Sequence, residues 1–273
     1  MATAGLPMYD LPELRAATDA WWSGVARALR REGIEDVPDV LARGVSTEAV
    51  WRRPNLLLSQ TCGYNMVDRW RERLAYVATP HYTAPGCQGP LYSSVIIVRA
   101  GSAARILADL RGLRCVINGY ASHSGCNALR ATVAPLAHKG RFFGSVMVSG
   151  GHAASLGWVA SGEADVAAID CITYALTVRF RPYLSEDIRI VAQTVAAPVG
   201  PYVTRSGAPG VLIARLRNGL AQAICDPDLA AARDALLLGG FEVLPVEGYG
   251  RMAQLETEAT RLGYRDFDRE TKS

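Results

Sequence analysis

Apolar positions along this chain follow two alternating patterns. Short unbroken blocks read as buried strands, and longer stretches spaced by three and four read as amphipathic helices. The first block, 5–10, is expected to be a strand that delivers Tyr9 and Asp10 to its C-terminal end. Asp10 and Glu13 form a capping-box pattern, and Leu14, Ala17, Trp21, Val25 and Leu29 then mark one face of a helix reaching Arg31. Residues 37–42 read as a strand weakened by Pro38, and 46–51 as a short helix. Blocks 55–59, 74–78, 93–99, 113–117, 143–148 and 165–169 read as strands, most of them followed by a turn into a helix. The proline-containing stretch 79–92 is an irregular excursion, and 103–110 reads as a helix. Further on, 188–196 and 201–204 read as extended chain, 211–224 and 227–237 as helices and 242–245 as a last strand. The polar tail 248–273 is expected to be helical in its middle and frayed beyond.

The polar residues gather at the strand ends. Residues 118–127 read Asn-Gly-Tyr-Ala-Ser-His-Ser-Gly-Cys-Asn between a buried block and a helix stopped near Pro135. Ser122 and Ser124 suit helix caps, Gly125 lets backbone approach a ligand, and free N–H groups of a first helical turn attract negative charge. The stretch is therefore either an ordinary capped connection or a seat for a small anion. Residues 60–64 (Gln-Thr-Cys-Gly-Tyr) and 149–152 (Ser-Gly-Gly-His) repeat the design, Gly162 sits where a left-handed helix end is expected, and Asp170 closes the 165–169 block. Strands alternating with helices argue for parallel βαβ units that bind ligands outside the strands' carboxyl ends. The extended segments 93–99 and 188–196 bracket a self-contained middle block. This predicts a first lobe from 1–100 plus 188–273, a second from 101–187, and a ligand between them.

With 273 residues the chain is long enough for two cores. Lys and Arg number 29 against 26 Asp and Glu, and this net charge of +3, with no basic stripe, argues against nucleic acid as a partner. No apolar run reaches the ~18 residues of a membrane span, so no direct membrane insertion is expected. The first ten residues lack a basic segment followed by an apolar one, so the sequence as it stands reads as cytoplasmic, or as periplasmic if a leader has been removed. Six cysteines without a CxxC pair read as reduced, buried thiols. His81, His123, His138 and His152 show no i, i+4 spacing, so neither a metal site nor a cofactor is expected.

Several of these segments together resemble a known family. They are 5–10 (Gly-Leu-Pro-Met-Tyr-Asp), 57–64 (Leu-Leu-Ser-Gln-Thr-Cys-Gly-Tyr), 122–125 (Ser-His-Ser-Gly), 149–152 (Ser-Gly-Gly-His) and 162–170 (Gly-Glu-Ala-Asp-Val-Ala-Ala-Ile-Asp). The family is that of phosphonate/phosphate-type solute-binding proteins, within the type 2 periplasmic-binding-protein superfamily and related to the sulfonate and nitrate binders. The resemblance implies an α/β, two-lobed fold with two mainly parallel sheets flanked by helices and joined by two hinge strands. It also implies a compact anionic or zwitterionic ligand, capture by hinge closure, and an ABC-transporter permease as partner. Carried over to matching positions, Ser122, His123, Ser124 and Gly125 seat an acidic headgroup, while Tyr9, Thr61, Gly63 and Tyr64 face the ligand from the first lobe. Asp170 meets the other end of the ligand or its ammonium, and Asp10 does the same or caps a helix. His152, at a helix start, is a neutral hydrogen-bond donor, and Tyr202 either stacks over the ligand or is a buried hinge residue. The alternative is an enzyme on the same fold, of the menaquinone- or thiamine-precursor type, for which Cys62, Cys126, His123, His152 and Asp170 are the candidate reactive groups.

Overall fold

Apolar blocks buried on both faces make strands such as Leu56–Gln60 and Val166–Asp170, while Ser145–Val148, Ile188–Gln193 and Leu238–Glu242 are only partly covered, in the computed structural model, which describes residues 1–265 and 267 as two compact units. The first unit comprises Met1–Thr83, Gln88–Pro90 and Pro198–Gly248; the second comprises Ala84–Cys87, Leu91–Ala197 and the chain from Tyr249 on. Two five-stranded sheets carry them, with strands in chain order β1 (Thr3–Gly5), β2 (Leu56–Gln60), β3 (Leu74–Tyr82), β4 (Ser94–Arg99), β5 (Arg114–Ile117), β6 (Ser145–Val148), β7 (Val166–Asp170), β8 (Ile188–Gln193), β9 (Tyr202–Arg205) and β10 (Leu238–Glu242). The first unit's order is β1-β2-β9-β3-β10 and the second's is β8-β4-β7-β5-β6.

The α/β class and helix-flanked sheets agree with expectation, but the sheets are mixed rather than mainly parallel. In the first unit only β1 and β2 run parallel, and in the second β7, β5 and β6 are parallel while β8 and β4 are antiparallel additions. A strand buried on both faces carries the same apolar run in either direction, so its sense is decided by distant connections.

In the first unit the helix Arg15–Arg31 buries Trp21, Val25 and Leu29 of the expected stripe, with Ala17 only half-buried and Trp22 and Ala28 buried beside them, and packs against Gly210–Cys225. Gly219 makes that approach possible, since a Cβ there would lie 2.5 Å from Leu29 Cδ2. Gly24 does the same against Leu229, where a Cβ would meet Cδ1 at 2.1 Å and Cγ at 2.8 Å. Alanine at position 24 gains about 1 kcal/mol of helix propensity but must displace a buried leucine at about 1–3 kcal/mol. Gly24→Ala is therefore expected to lower stability by about 1 kcal/mol in urea unfolding; an unchanged or raised midpoint would show that Leu229 yields freely.

In the second unit β4 shows period-two alternation with both faces covered. Ile96 and Val98 pack with Leu129, Val133, Phe142 and Phe143 on one face, and Val95 and Ile97 with Leu156 and Val159 on the other. Of the segments 93–99 and 188–196, expected to cross between lobes, 94–99 and 188–193 are both strands of this sheet. The helix Gly250–Arg261, assigned by sequence to the first lobe, also belongs here. Its buried Met252, Leu255 and Ala259 form one stripe, and Asn127 donates to the Met252 carbonyl at 2.8 Å. Of the fraying expected beyond the middle of the 248–273 tail, the part that falls on 266 and 268–273 lies outside the described residues.

Three local expectations are corrected. Residues 37–42 form no strand, because Pro38 has no N–H and the segment joins β1 only through Ala42 N–H to Ala4 O, 2.7 Å. Residues 103–110 form only a 3₁₀ turn, Leu107–Leu110, closed by Asp109 accepting from the Arg105 and Ile106 N–H groups. The last strand lies at Leu238–Glu242 instead of 242–245. Among the described residues no helix is long and apolar enough to cross a membrane.

Candidate functional site

The second unit's three parallel strands end side by side, so the loops after β5, β6 and β7 emerge along one edge of the sheet. After β5 the chain enters a single π turn, His123–Asn127, in which the Asn127 N–H reaches back to the Ser122 carbonyl at 3.0 Å, and then the helix Ala128–Val133. Ser122 caps this turn by accepting from the Gly125 N–H at 3.2 Å. Gly125 is packed so closely that a Cβ would stand 2.1 Å from Asn118 Oδ1 and 3.0 Å from His152 Cε1. Ser94 Oγ, from β4, donates to the Ser124 carbonyl at 3.0 Å and fixes the loop from below.

After β6, the loop is braced by Ser149, whose hydroxyl lies 2.6 Å from that of Ser155, and His152 opens the helix His152–Ser161. That helix ends as expected at Gly162, with φ 84°. After β7, Asp170 caps the helix Cys171–Phe180, accepting from the Thr173 N–H at 2.9 Å. The three loops meet at one imidazole. His152 Nε2 lies 2.7 Å from Ser124 Oγ and 3.5 Å from Asp170 Oδ2. Burial holds the His152 pKa below its ordinary value against the opposing pull of Asp170 and the Ala168 carbonyl. A neutral imidazole is what a helix N-terminus favours.

His123 is placed differently from its neighbours. It is 1% exposed, its Nδ1 lies 3.3 Å from Asn127 Nδ2, and its ring is 6.4 Å from that of Tyr92. An amide N–H facing Nδ1 makes that nitrogen the acceptor and leaves the proton on Nε2, which is buried and has no hydrogen-bond partner among the described residues. Burial pushes this histidine's pKa down to about 4.

The remaining sequence candidates lie in the first unit. Thr61 is fully buried after β2, its N–H bonded to the Pro201 carbonyl at 3.1 Å, and Gly63 and Tyr64 open the short helix Gly63–Val67. Tyr9 and Tyr202 share a cavity of about 20 Å³ with Trp21, Gln60 and Tyr82, room for about one water. Tyr202 does not stand open: it is 3% exposed, accepts from Trp21 Nε1 at 3.3 Å, stacks edge-on to Phe241, and burial pushes its hydroxyl pKa up. Asp10 neither caps a helix nor stands free. Arg43 grips both its oxygens, at 2.5 and 3.0 Å, an ion pair between positions 33 apart that local reading does not reveal. Of the candidates, the fold thus brings together Ser122, Ser124, Gly125, His152 and Asp170. Asn118, Ser94 and Ser149 complete that cluster without having been named as candidates; Asn118 and Ser149 open the loops singled out in the sequence, whereas Ser94 lies inside a strand block and had no such signal.

Comparison with known proteins gives three findings. A family model described as "ABC transporter, phosphonate, periplasmic substrate-binding protein" matches residues 61–247. No curated protein matches the chain by sequence. Solved structures share the fold at low identity. PhnD1 from Prochlorococcus marinus, in complex with methylphosphonate, is 14% identical with TM-score 0.75, over 95% of this chain and 98% of that one. The binding-protein component of a phosphonate ABC transporter from Pseudomonas aeruginosa is also 14% identical with TM-score 0.75, over 96% and 87%. XAC2383 from Xanthomonas citri, bound to ATP, is 19% identical with TM-score 0.70, over 96% and 98%.

Proposed function

Since the chain belongs to the family of periplasmic substrate-binding proteins of phosphonate ABC transporters, we propose that it captures a compact phosphonate or phosphate on the strand-end loops of its second unit and passes it to a membrane permease. The observation that carries this reading is the convergence of Ser124, His152 and Asp170 from the three parallel strands. Ser124 and a neutral His152 supply hydrogen bonds without a formal counter-charge. Asp170 supplies a buried acceptor, which suits either an ammonium on the ligand or the P–OH of a singly protonated headgroup. A fully ionised oxyanion with no proton to offer would instead face Asp170 as a like charge.

The same three residues argue against nucleophilic catalysis at this point. In a serine–histidine–aspartate triad the carboxylate orients Nδ1 so that Nε2 is free to take the serine proton. Here serine and aspartate approach the same nitrogen, an arrangement that organises donors and acceptors around a guest.

The test is isothermal titration calorimetry with inorganic phosphate, methylphosphonate, 2-aminoethylphosphonate and ATP, followed by recovery of the compound. One compact phosphonate or phosphate is expected to bind one to one and come back unchanged. Ser124→Ala is expected to weaken it at least about tenfold, the lower end for a hydrogen bond to a charged group. Wild-type affinity in both Ser124→Ala and Asp170→Asn would remove the seat from these loops, and consumption of the compound would turn the reading to an enzyme.

A further inference from the structure

We propose that Cys87 and Cys171 form a reversible disulfide, a modification site beside the proposed ligand seat, since Cys171 directly follows Asp170. The two sulfurs lie 3.5 Å apart although the residues are 84 positions apart, and no CxxC spacing announces the pair. Both belong to the second unit.

The surrounding backbone is built to bring them together. Ser93 holds both sides, its N–H donating to the Gly86 carbonyl at 3.1 Å and its own carbonyl accepting from the Cys171 N–H at 3.1 Å. Gly86 has φ +99°, a conformation open to glycine, and a Cβ there would stand 2.9 Å from Cys171 Cβ and 3.2 Å from its sulfur. The residue beside Cys87 is thus one that leaves the Cys171 side chain room. The sulfurs must close from 3.5 Å to about 2.05 Å, a movement within reach of side-chain rotation.

The two thiols divide access and charge between them. Cys87 is half-buried and can meet a small oxidant, whereas Cys171 is fully buried at the first turn of its helix. The hydrogen bond from Cys87 favours the thiolate at Cys171 and lowers its pKa, and raises that of Cys87. With glutathione disulfide as oxidant, Cys87 hands its proton across the 3.5 Å contact to the Cys171 thiolate as it attacks one of the glutathione sulfurs, breaking the S–S bond and releasing one glutathione thiolate, which then takes that proton from Cys171. The Cys171 thiolate then attacks the Cys87 sulfur of the mixed disulfide and expels the second. The two protein thiols lose two electrons and two protons, and glutathione disulfide gains both. Such a bond persists in an oxidising compartment, the setting named for this family.

The test is to equilibrate the full chain, carrying Cys225→Ser to remove the exposed thiol, in mixtures of oxidised and reduced glutathione, trap the thiols by alkylation and map the peptides. The expected product is a Cys87–Cys171 cross-linked peptide in a chain lighter by two hydrogens, with Cys62, Cys115 and Cys126 alkylated. Dithiothreitol should reverse it. Adding Cys171→Ser should leave Cys87 as its glutathione mixed disulfide. The proposal is overturned if the folded chain, without that second substitution, yields Cys87 and Cys171 both alkylated, Cys87 held only as the mixed disulfide, or either residue paired elsewhere; this map decides the matter even if the Cys171→Ser chain does not fold.

Discussion

Between pH 6.5 and about 4 the chain is expected to lose about 3 kcal/mol of folding stability through His123. Its imidazole is buried, and its pKa falls from 6.5 to about 4 because charge is costly where no solvent reaches it. At 1.36 kcal/mol per pKa unit, this separation amounts to about 3 kcal/mol. The sign follows from proton counting. Below pH 6.5 the unfolded chain takes up a proton that the folded chain refuses until about pH 4, so the unfolded state is favoured as the pH falls. Above pH 6.5 the contribution is fully present, and below about 4 it is lost entirely. His152, whose pKa burial also lowers, acts in the same direction. Urea unfolding at neutral pH and near pH 4.5 measures the loss, and His123→Asn isolates it, since an Asn carbonyl can replace Nδ1 as the acceptor facing Asn127 Nδ2. Carboxylates titrate alike in both proteins and cancel in the difference. The variant should show most of this acid sensitivity removed; equal pH dependence in the two would mean that His123 is already solvated or charged in the folded state.

Local pattern made the alternation of strands and helices legible, together with the loops at 118–127, 149–152 and after Asp170, because a buried strand followed by Ser, Gly or His leaves little else for the backbone to do but turn and start a helix. The same reading misjudged whatever depends on contacts far along the chain. Asp10 looked like a cap because Glu13 is three residues away, yet Arg43 claims it. The apolar stripe of Gly250–Arg261 was visible as a helix, but nothing in it says which sheet it covers; the buried Arg130, bonded to the Arg265 carbonyl and 3.5 Å from Glu256, helps to hold that end of the chain on the second unit. That polar side chains gather at the ends of β5, β6 and β7 was legible from the Asn, Ser and Asp that close or follow each buried block. That Ser124, His152 and Asp170 meet at a single nitrogen while His123 sits buried beside Asn127 is a matter of side-chain direction in a π turn, where the usual helical spacing no longer holds.

The residue on which that meeting most depends is the smallest one in the loop, and Gly125→Ala is expected to cost about 2–3 kcal/mol, the upper part of the range for overpacking. Its backbone is not strained; the obstacle is space. A methyl group at this position would stand 2.1 Å from Asn118 Oδ1, 2.8 Å from Asn118 Cγ and 3.0 Å from His152 Cε1. Asn118 Oδ1 is buried without a hydrogen-bond partner among the described residues, so no existing bond holds its amide against the push. The His152 ring is less free, with Ser124 Oγ at 2.7 Å and Asp170 Oδ2 at 3.5 Å on its Nε2. Any relief on that side separates the groups proposed to hold the ligand. A lower urea midpoint should therefore accompany a loss of phosphonate affinity larger than that of Ser124→Ala, because the methyl disturbs donor and acceptor together. Gly24→Ala, which overpacks the first unit instead, is the control, and it should lower stability while leaving affinity unchanged. If Gly125→Ala destabilises the chain but binds as the wild type does, the ligand does not use the junction of His152 with Ser124. If it neither destabilises nor weakens binding, Asn118 moves aside at no cost and the tight packing of this loop has no bearing on recognition.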